Sequence, residues 1–263
     1  MNKTALVTGA SRGIGRATAL QLAEVGYDVG INYRQNRKGA EEVARAVCKN
    51  KRRALVLQAD VGKKREIDRM FDRFFAEFDH IDLLVNNAGL SIFSPFLQVS
   101  EELWDTVTEV DWKGTFFCAQ RAARDMKDSG RGGVIINMSS NQKDGCWPTA
   151  SVYGPTKTAV AKFTRHAAFE LARYGIRVIA IAPGYTDVGW PEGDPIHEAK
   201  DKIPMKRFAT PEEIARVISR LASEEFGYMT GTCLDIDGGA LLPVVTENDL
   251  DSSWSSTRFE KGE

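Results

Sequence analysis

The sequence predicts a single-domain α/β fold, a doubly wound sheet of about seven parallel strands with helices on both faces. Three observations carry this. Short runs dominated by Val, Ile, Leu and Ala alternate with longer helical stretches along most of the chain. The runs are almost continuously apolar, which is how strands read when both faces of a parallel sheet are covered. A chain of 263 residues buries one sizeable core and needs no second domain. The alternation implies right-handed strand–helix–strand units.

The first strand is expected at residues 4–8, followed by a glycine-rich turn and a helix over 13–25. A strand at 28–33 leads into a helix at 39–50, and one at 54–59 into a helix at 64–78. The strand at 81–86 precedes a long helix over 101–126, and the strand at 133–138 precedes another over 152–174. After a strand at 177–182, residues 184–210 carry prolines at 191, 195 and 204, glycines at 189 and 193, and Trp190. A connection of that length in a compact domain is a candidate binding loop. Thr210-Pro211-Glu212-Glu213 then starts a helix over 211–222, with a capping hydroxyl, proline in the first turn and acids at the positive end of the dipole. The last strand is expected at 233–236. The domain is assigned to 1–245, and the polar, acidic tail 246–263 is expected to be mobile or docked on a neighbouring subunit.

Composition excludes several functions. With 35 basic against 36 acidic residues the chain lacks the concentrated positive field of a nucleic-acid binder. Four cysteines (48, 118, 146 and 233) form no CxxC pair, which fits a reducing compartment rather than a zinc site or disulfide framework. The three histidines show no metal-ligand spacing, so no metal is expected. No apolar run reaches the roughly 18 residues of a membrane span. Met1 leads almost directly into the first strand, and the cytoplasm is the expected location.

Between the first strand and its helix stands Thr8-Gly9-Ala10-Ser11-Arg12-Gly13-Ile14-Gly15. Glycines here permit a tight turn and close approach of a pyrophosphate, while the helix N-terminus offers free N–H groups and partial positive charge. The spacing is GxxxGxG, weak alone but strengthened by its place in a Rossmann-type alternation. An acid commonly follows the second strand where NAD is preferred; here the run is Asn32-Tyr33-Arg34-Gln35-Asn36-Arg37. Arg12 and Arg34 suit a 2′-phosphate, so NADP(H) is expected over NAD(H), which stays open.

Tyr153 and Lys157 are four residues apart, on one face of a helix. A phenol ordinarily titrates near pH ~10, and an ammonium ~4 Å away favours its phenolate by about 4 kcal/mol at an effective dielectric of ~20. The Ser139-Ser140 pair ends a buried strand at the sheet's carboxyl edge, where a hydroxyl can donate to a carbonyl oxygen gaining negative charge. The plainer reading, a turn serine capping the next segment, is equally open.

Taken with Asp60-Val61, Asn86-Asn87-Ala88-Gly89, Pro183-Gly184 and Asp237-Gly238-Gly239, these motifs closely resemble the short-chain dehydrogenase/reductase family over residues 3–243. The resemblance implies hydride transfer between a nicotinamide cofactor and a carbonyl or secondary alcohol. It makes Tyr153 the general acid/base, Lys157 its partner and holder of the nicotinamide ribose, and Ser140 the group orienting the substrate carbonyl. It places Gly9, Ser11, Arg12, Gly13, Ile14, Gly15, Arg34, Asp60, Val61, Asn87, Ala88, Gly89, Pro183, Gly184 and Thr186 along the cofactor. Asp111 stands where the family usually has an asparagine that helps hold a proton-relay water. If the backbone carbonyl holds that water, aspartate serves; a carboxylate near Lys157 also drains its charge, and activity is expected to survive. The run after Pro183-Gly184 is shorter than the usual PGxxxT, leaving Thr186 as the hydroxyl expected to face the carboxamide. Members commonly form tetramers through two long helices. A homotetramer is expected here, with Ala119, Ala122, Ala123, Ala167, Ala168 and Phe169 either at that interface or packed on the sheet.

Gln142, Trp147 and Trp190 are the candidate substrate residues; polar groups with aromatic walls suit a sugar or polyol. A 3-ketoacyl thioester or another ketone is the alternative, and solvent exposure of these residues is equally open. A reading of another class is a catalytically weak NADP-binding sensor or scaffold, for which Asp111 is the only support. A nucleotide-sugar epimerase or dehydratase is disfavoured, because the C-terminal tail is too short for its substrate domain.

Overall fold

The apolar runs lie side by side as seven parallel strands: β1 (Thr4–Val7), β2 (Asp28–Tyr33), β3 (Ala54–Gln58), β4 (Leu83–Asn86), β5 (Gly133–Met138), β6 (Ile176–Pro183) and β7 (Cys233–Ile236). Their order across the sheet is β3-β2-β1-β4-β5-β6-β7. This computed structural model describes residues 2–242. The expected tail at 246–263 and the last residues of the expected domain lie outside the described residues. The order reverses at β1, so the chain leaves in opposite directions on either side of the β1/β4 seam. A crevice opens at the carboxyl ends of such strands.

Helices α1 (Gly13–Glu24), α2 (Arg37–Lys49) and α7 (Pro211–Leu221) cover one face, burying Leu22, Val43, Val47, Ile214, Ile218 and Leu221 against β1, β2 and β6. The other face carries α3 (Lys64–Phe78), α4 (Glu101–Thr108), α5 (Thr115–Asp128) and α6 (Tyr153–Leu171). There Phe71, Phe74 and Phe78, at three- and four-residue spacing along α3, are fully covered. Strand β2 meets this layer through Gly30, where an added Cβ would sit 2.7 Å from the Phe74 ring. Among the described residues no helix is long and apolar enough to cross a membrane, and no three potential ligands cluster for a metal.

The structure corrects one expectation. The helix expected over 101–126 is two helices, α4 and α5, joined by a π turn, Glu109–Gly114. Gly114 lies so close to the β3–α3 connection that a Cβ would meet the Val61 carbonyl at 2.7 Å. Widening the helix there turns Asp111 fully inward, at 0% exposure. Apolar periodicity hides this, because one wide turn leaves the buried stripes on both sides intact.

The alternative left open for the alanines is also settled within one chain. Ala119, Ala122, Ala123 and Ala168 are buried against the sheet and Ala167 is half-buried against the same cluster, whereas Phe169 is 88% exposed. Residues 184–210 hold a short 3-10 helix, Pro195–Lys202, and return alongside themselves through a bridge between Thr186 and Ala209. Arg207 clamps the end of this loop by gripping both carboxylate oxygens of Glu213, at 2.7 and 2.8 Å. Glu213 also closes the capping box with Thr210. The Arg207 fork, helped by the Thr210 N–H, pulls the Glu213 carboxyl down to about 2.

Candidate active site

The glycine-rich turn leaves β1 in left-handed backbone at Gly9 and Gly13, with φ of 62° and 54°. Gly15 sits where a Cβ would lie 2.4 Å from the Gly9 carbonyl and 2.5 Å from Asn87 Nδ2. The turn is sewn to both neighbouring strands. Asn32 Oδ1 accepts from the Gly9 N–H at 3.1 Å, and Thr8 Oγ1 accepts from the Asn87 and Ala88 N–H groups, both at 3.0 Å. Asn87 Nδ2 donates to the Thr8 carbonyl at 2.9 Å. No side chain caps the start of α1, so its first N–H groups face the crevice free for an anion. The free N–H groups and the glycines of this turn have the chemistry to receive a pyrophosphate, and a Cβ at Gly15 would break the turn by striking the Gly9 carbonyl and Asn87 Nδ2.

Arg12, in the turn just before α1, is exposed; after β2, Arg34 is 46% exposed and its Nη1 lies 3.8 Å from Asp60 Oδ2, just beyond β3. Asp60 Oδ1 is held by the Gly62 N–H at 3.0 Å. An acid therefore does stand near the end of β2, supplied by the connection after β3. Its grip on Arg34 is loose and solvated, leaving most of the guanidinium open.

Tyr153 opens α6, and Lys157, one turn on, is 5.3 Å from its ring centre. Pro155 lies within the first helical turn, where the missing N–H has no partner to lose. The Lys157 ammonium donates to the Met138 carbonyl at 3.2 Å, which ties α6 to the end of β5 just before Ser139 and Ser140. It also lies 3.0 Å from Asp111 Oδ2, with only 5% of the lysine side chain and none of the aspartate side chain exposed. The ammonium approaches Oδ2 without the alignment of a hydrogen bond, so this contact is coulombic. Asp111 Oδ1 accepts from the Leu90 N–H at 2.7 Å, and the Asp111 carbonyl accepts from Thr115 Oγ1 at 2.8 Å. Burial works against the Lys157 charge, but the Asp111 carboxylate and then Tyr153 outweigh it, and the net shift is upward. Gly89 packs directly against this pair: a Cβ there would lie 3.3 Å from both Lys157 Nζ and Asp111 Oδ2.

Ser140 is buried in extended backbone, and its Oγ accepts from the Gln142 N–H at 3.2 Å. It thus caps the short helix Asn141–Lys143, and its own hydroxyl donates a long hydrogen bond to Asn141 Oδ1, at 3.5 Å, from which it can turn to another acceptor. Gln142 and Trp147 line a cavity of about 430 Å3 with Phe96, Ala150, Ser151 and Pro155. This cavity flanks the first turn of α6; Ser140, Tyr153 and Lys157 are not among its lining residues. Trp190 does not line it either: its indole N–H donates to the Thr186 carbonyl at 3.2 Å, within the loop. Trp147 reaches the same loop, donating to Tyr185 Oη at 3.0 Å. Thr186 is buried at the bridge beside Gly184, and Val188 packs on the glycine-rich turn, 3.3 Å from where a Gly13 Cβ would be.

Phe93 is absent from the motif reading, and Thr8 and Asn32 stand in the quoted runs without a role of their own. Phe93 packs edge-on against Tyr153, with ring centres 5.7 Å apart. It lies in an irregular segment where no periodicity marks it. Thr8 and Asn32 hold the turn together. Their signal is a polar residue inside an otherwise apolar strand, which has to be hydrogen-bonded once buried.

The family model described as enoyl-(acyl carrier protein) reductase matches residues 9–240. The oxidoreductase YohF of Escherichia coli K12 is 38% identical over 245 residues, covering 92% of this chain and 97% of its own length. The 3-oxoacyl-[acyl-carrier-protein] reductase FabG of Staphylococcus epidermidis is 39% identical, covering 92% of this chain and 100% of its own. A crystal structure of acetoin dehydrogenase YohF from Salmonella typhimurium superposes with a TM-score of 0.86 at 35% identity, covering 94% of this chain and 98% of that one.

Proposed function

This chain belongs to the short-chain dehydrogenase/reductase family, oxidoreductases acting on carbonyl and alcohol groups, and on that premise we propose that it is an NADP(H)-dependent enzyme with Tyr153 as its general acid/base. The observation that carries this reading is the tie between Lys157 and the Met138 carbonyl, which fixes the Tyr153–Lys157 face of α6 at the carboxyl end of β5. The residues from Gly9 to Gly15, with Asn87 to Gly89, would hold the pyrophosphate and line its cleft; Asp60 and Val61 would meet the adenine. Pro183, Gly184 and Thr186 would pass the nicotinamide. When bound, the dinucleotide supplies or accepts the hydride.

The protein's own groups handle the oxygen. In reduction Tyr153 Oη gives its proton to the substrate oxygen while the Ser140 hydroxyl donates a hydrogen bond to it; in oxidation Tyr153 takes the proton back. Lys157 holds the ribose hydroxyls. Consumption of NADPH against a panel of hydroxyketones, ketoses and 3-oxoacyl thioesters tests the reading, and a chain that binds NADPH yet turns over none of them would contradict it. Relatives named for acetoin and for 3-oxoacyl thioesters bracket that panel. A hydroxylated ketone, from a small hydroxyketone to a sugar or polyol, is the proposed substrate class, with Gln142 and Trp147 as candidate contacts from the cavity beside the first turn of α6.

The phosphate preference rests on Arg12 and Arg34. Charge-assisted bonds from arginine to phosphate contribute about 1.5–3 kcal/mol. Arg34→Ala is therefore expected to raise KM for NADPH by roughly ten- to a hundredfold, leaving that for NADH nearly unchanged. Equal changes for both cofactors would remove the assignment.

A homotetramer is proposed as the assembly, with the exposed Phe169 in its interface. Light scattering on the full chain is expected to give four subunits, and a monomer would refute it.

A further inference from the structure

We infer that Asp111 is a positioning residue that sets the pH range in which each direction of the reaction runs, holding the site in its carbonyl-reducing state to higher pH. This rests on the role proposed above for Tyr153 and Lys157. An uncompensated ammonium beside a phenol favours the phenolate, the form that oxidises alcohols. Here the ammonium has a carboxylate 3.0 Å away, in a pocket where the lysine side chain is 5% and the aspartate side chain 0% exposed. Buried charges this close are little screened by solvent, so the carboxylate opposes the positive field of the ammonium at the phenol.

The contact is built rather than incidental. The π turn carries Asp111 inward, the Leu90 N–H fixes Oδ1 at 2.7 Å, and Gly89 has no side chain to separate the pair. The Asp111 carbonyl is engaged by Thr115 Oγ1, so the residue acts on Lys157 through its carboxylate. The titratable groups acting on Lys157 are Asp111 from the π turn and Tyr153 from its own helix. Strand β5 presents the Met138 carbonyl, and the 89–90 segment presents backbone.

The consequence is directional. Reduction needs the proton on Tyr153 Oη, and oxidation needs it gone. With Asp111 in place, reduction persists to higher pH, and oxidation sets in at higher pH, than with that carboxylate removed. An asparagine, which keeps an oxygen for the Leu90 N–H, removes the opposing charge, and the lysine then faces the phenol with the Met138 carbonyl as its remaining partner against burial.

The test compares wild type, Asp111→Asn and Asp111→Ser. Two readouts are followed: the pH profile of kcat/KM in both directions, and ultraviolet tyrosinate titration of cofactor-free protein, with Tyr153→Phe in each background isolating the Tyr153 step. Both variants are expected to move the tyrosinate step and the oxidation limb to lower pH by about one unit, roughly a tenfold change in proton concentration. Unchanged positions of step and limb in a folded variant overturn the inference. Wild type alone also tests it, because an oxidation rate already at its plateau at neutral pH overturns it whether or not the variants fold. Turnover surviving in Tyr153→Phe would instead sink the underlying reading, a separate result.

Discussion

Tyr153→Phe is expected to lower kcat/KM by about 10²–10⁴ while leaving the fold and NADPH binding intact. The substitution removes only Oη. The ring keeps its edge-on contact with Phe93, 5.7 Å between centres, and stays 5.3 Å from the Lys157 ammonium. Loss of turnover then reports lost proton transfer rather than a collapsed site. Steady-state kinetics beside NADPH fluorescence titration and thermal melting would separate these. Turnover within tenfold of wild type would mean that another group handles the proton.

Lys157→Met is expected to destabilise the protein by about 3–5 kcal/mol, because it strands the Asp111 carboxylate in a fully buried position. For a domain of this size that is a fall in melting temperature of about 2–4 °C per kcal/mol. Adding Asp111→Leu to the same chain should recover most of the loss, since an apolar pair of similar volume needs no mutual compensation. The double variant should stay inactive, with no ammonium to hold the ribose or support the phenol. Stability and catalysis would thereby part company at one pair of residues. If Lys157→Met melted where wild type does, the pair would contribute nothing to the fold, and the buried-charge account would be wrong.

Much of the architecture was legible before any coordinates. Continuous apolar runs marked every strand to within about two residues, since a strand covered on both faces leaves little choice of side chain. Thr210-Pro211-Glu212-Glu213 marked the start of α7 for an equally local reason, and the capping box is there. The glycine-rich turn was readable because its backbone demands are local as well: two left-handed positions and one with no room for a Cβ. Tyr153 and Lys157 were readable as a pair because a four-residue spacing on a helix fixes their common face.

What the sequence left open was settled by elements meeting across the fold. The π turn hid inside a helical pattern, because widening one turn changes where Asp111 points and not which stripe is apolar. That Asp111 meets Lys157 through its carboxylate at 3.0 Å depends on how closely α5 approaches β3 and how α6 crosses β5. Arg34 found an acid, Asp60, in the connection after β3, which its own neighbours do not mention. Trp147 turned toward Tyr185 and a cavity beside α6, and Trp190 stayed in its loop. Sequence by itself determined the sheet, the glycine-rich turn and the helical face that Tyr153 and Lys157 share, since local backbone conformation and side-chain periodicity follow from neighbouring residues. Tertiary structure alone decided which charge stands beside that pair, because the partner of a buried ion is chosen by packing between distant segments.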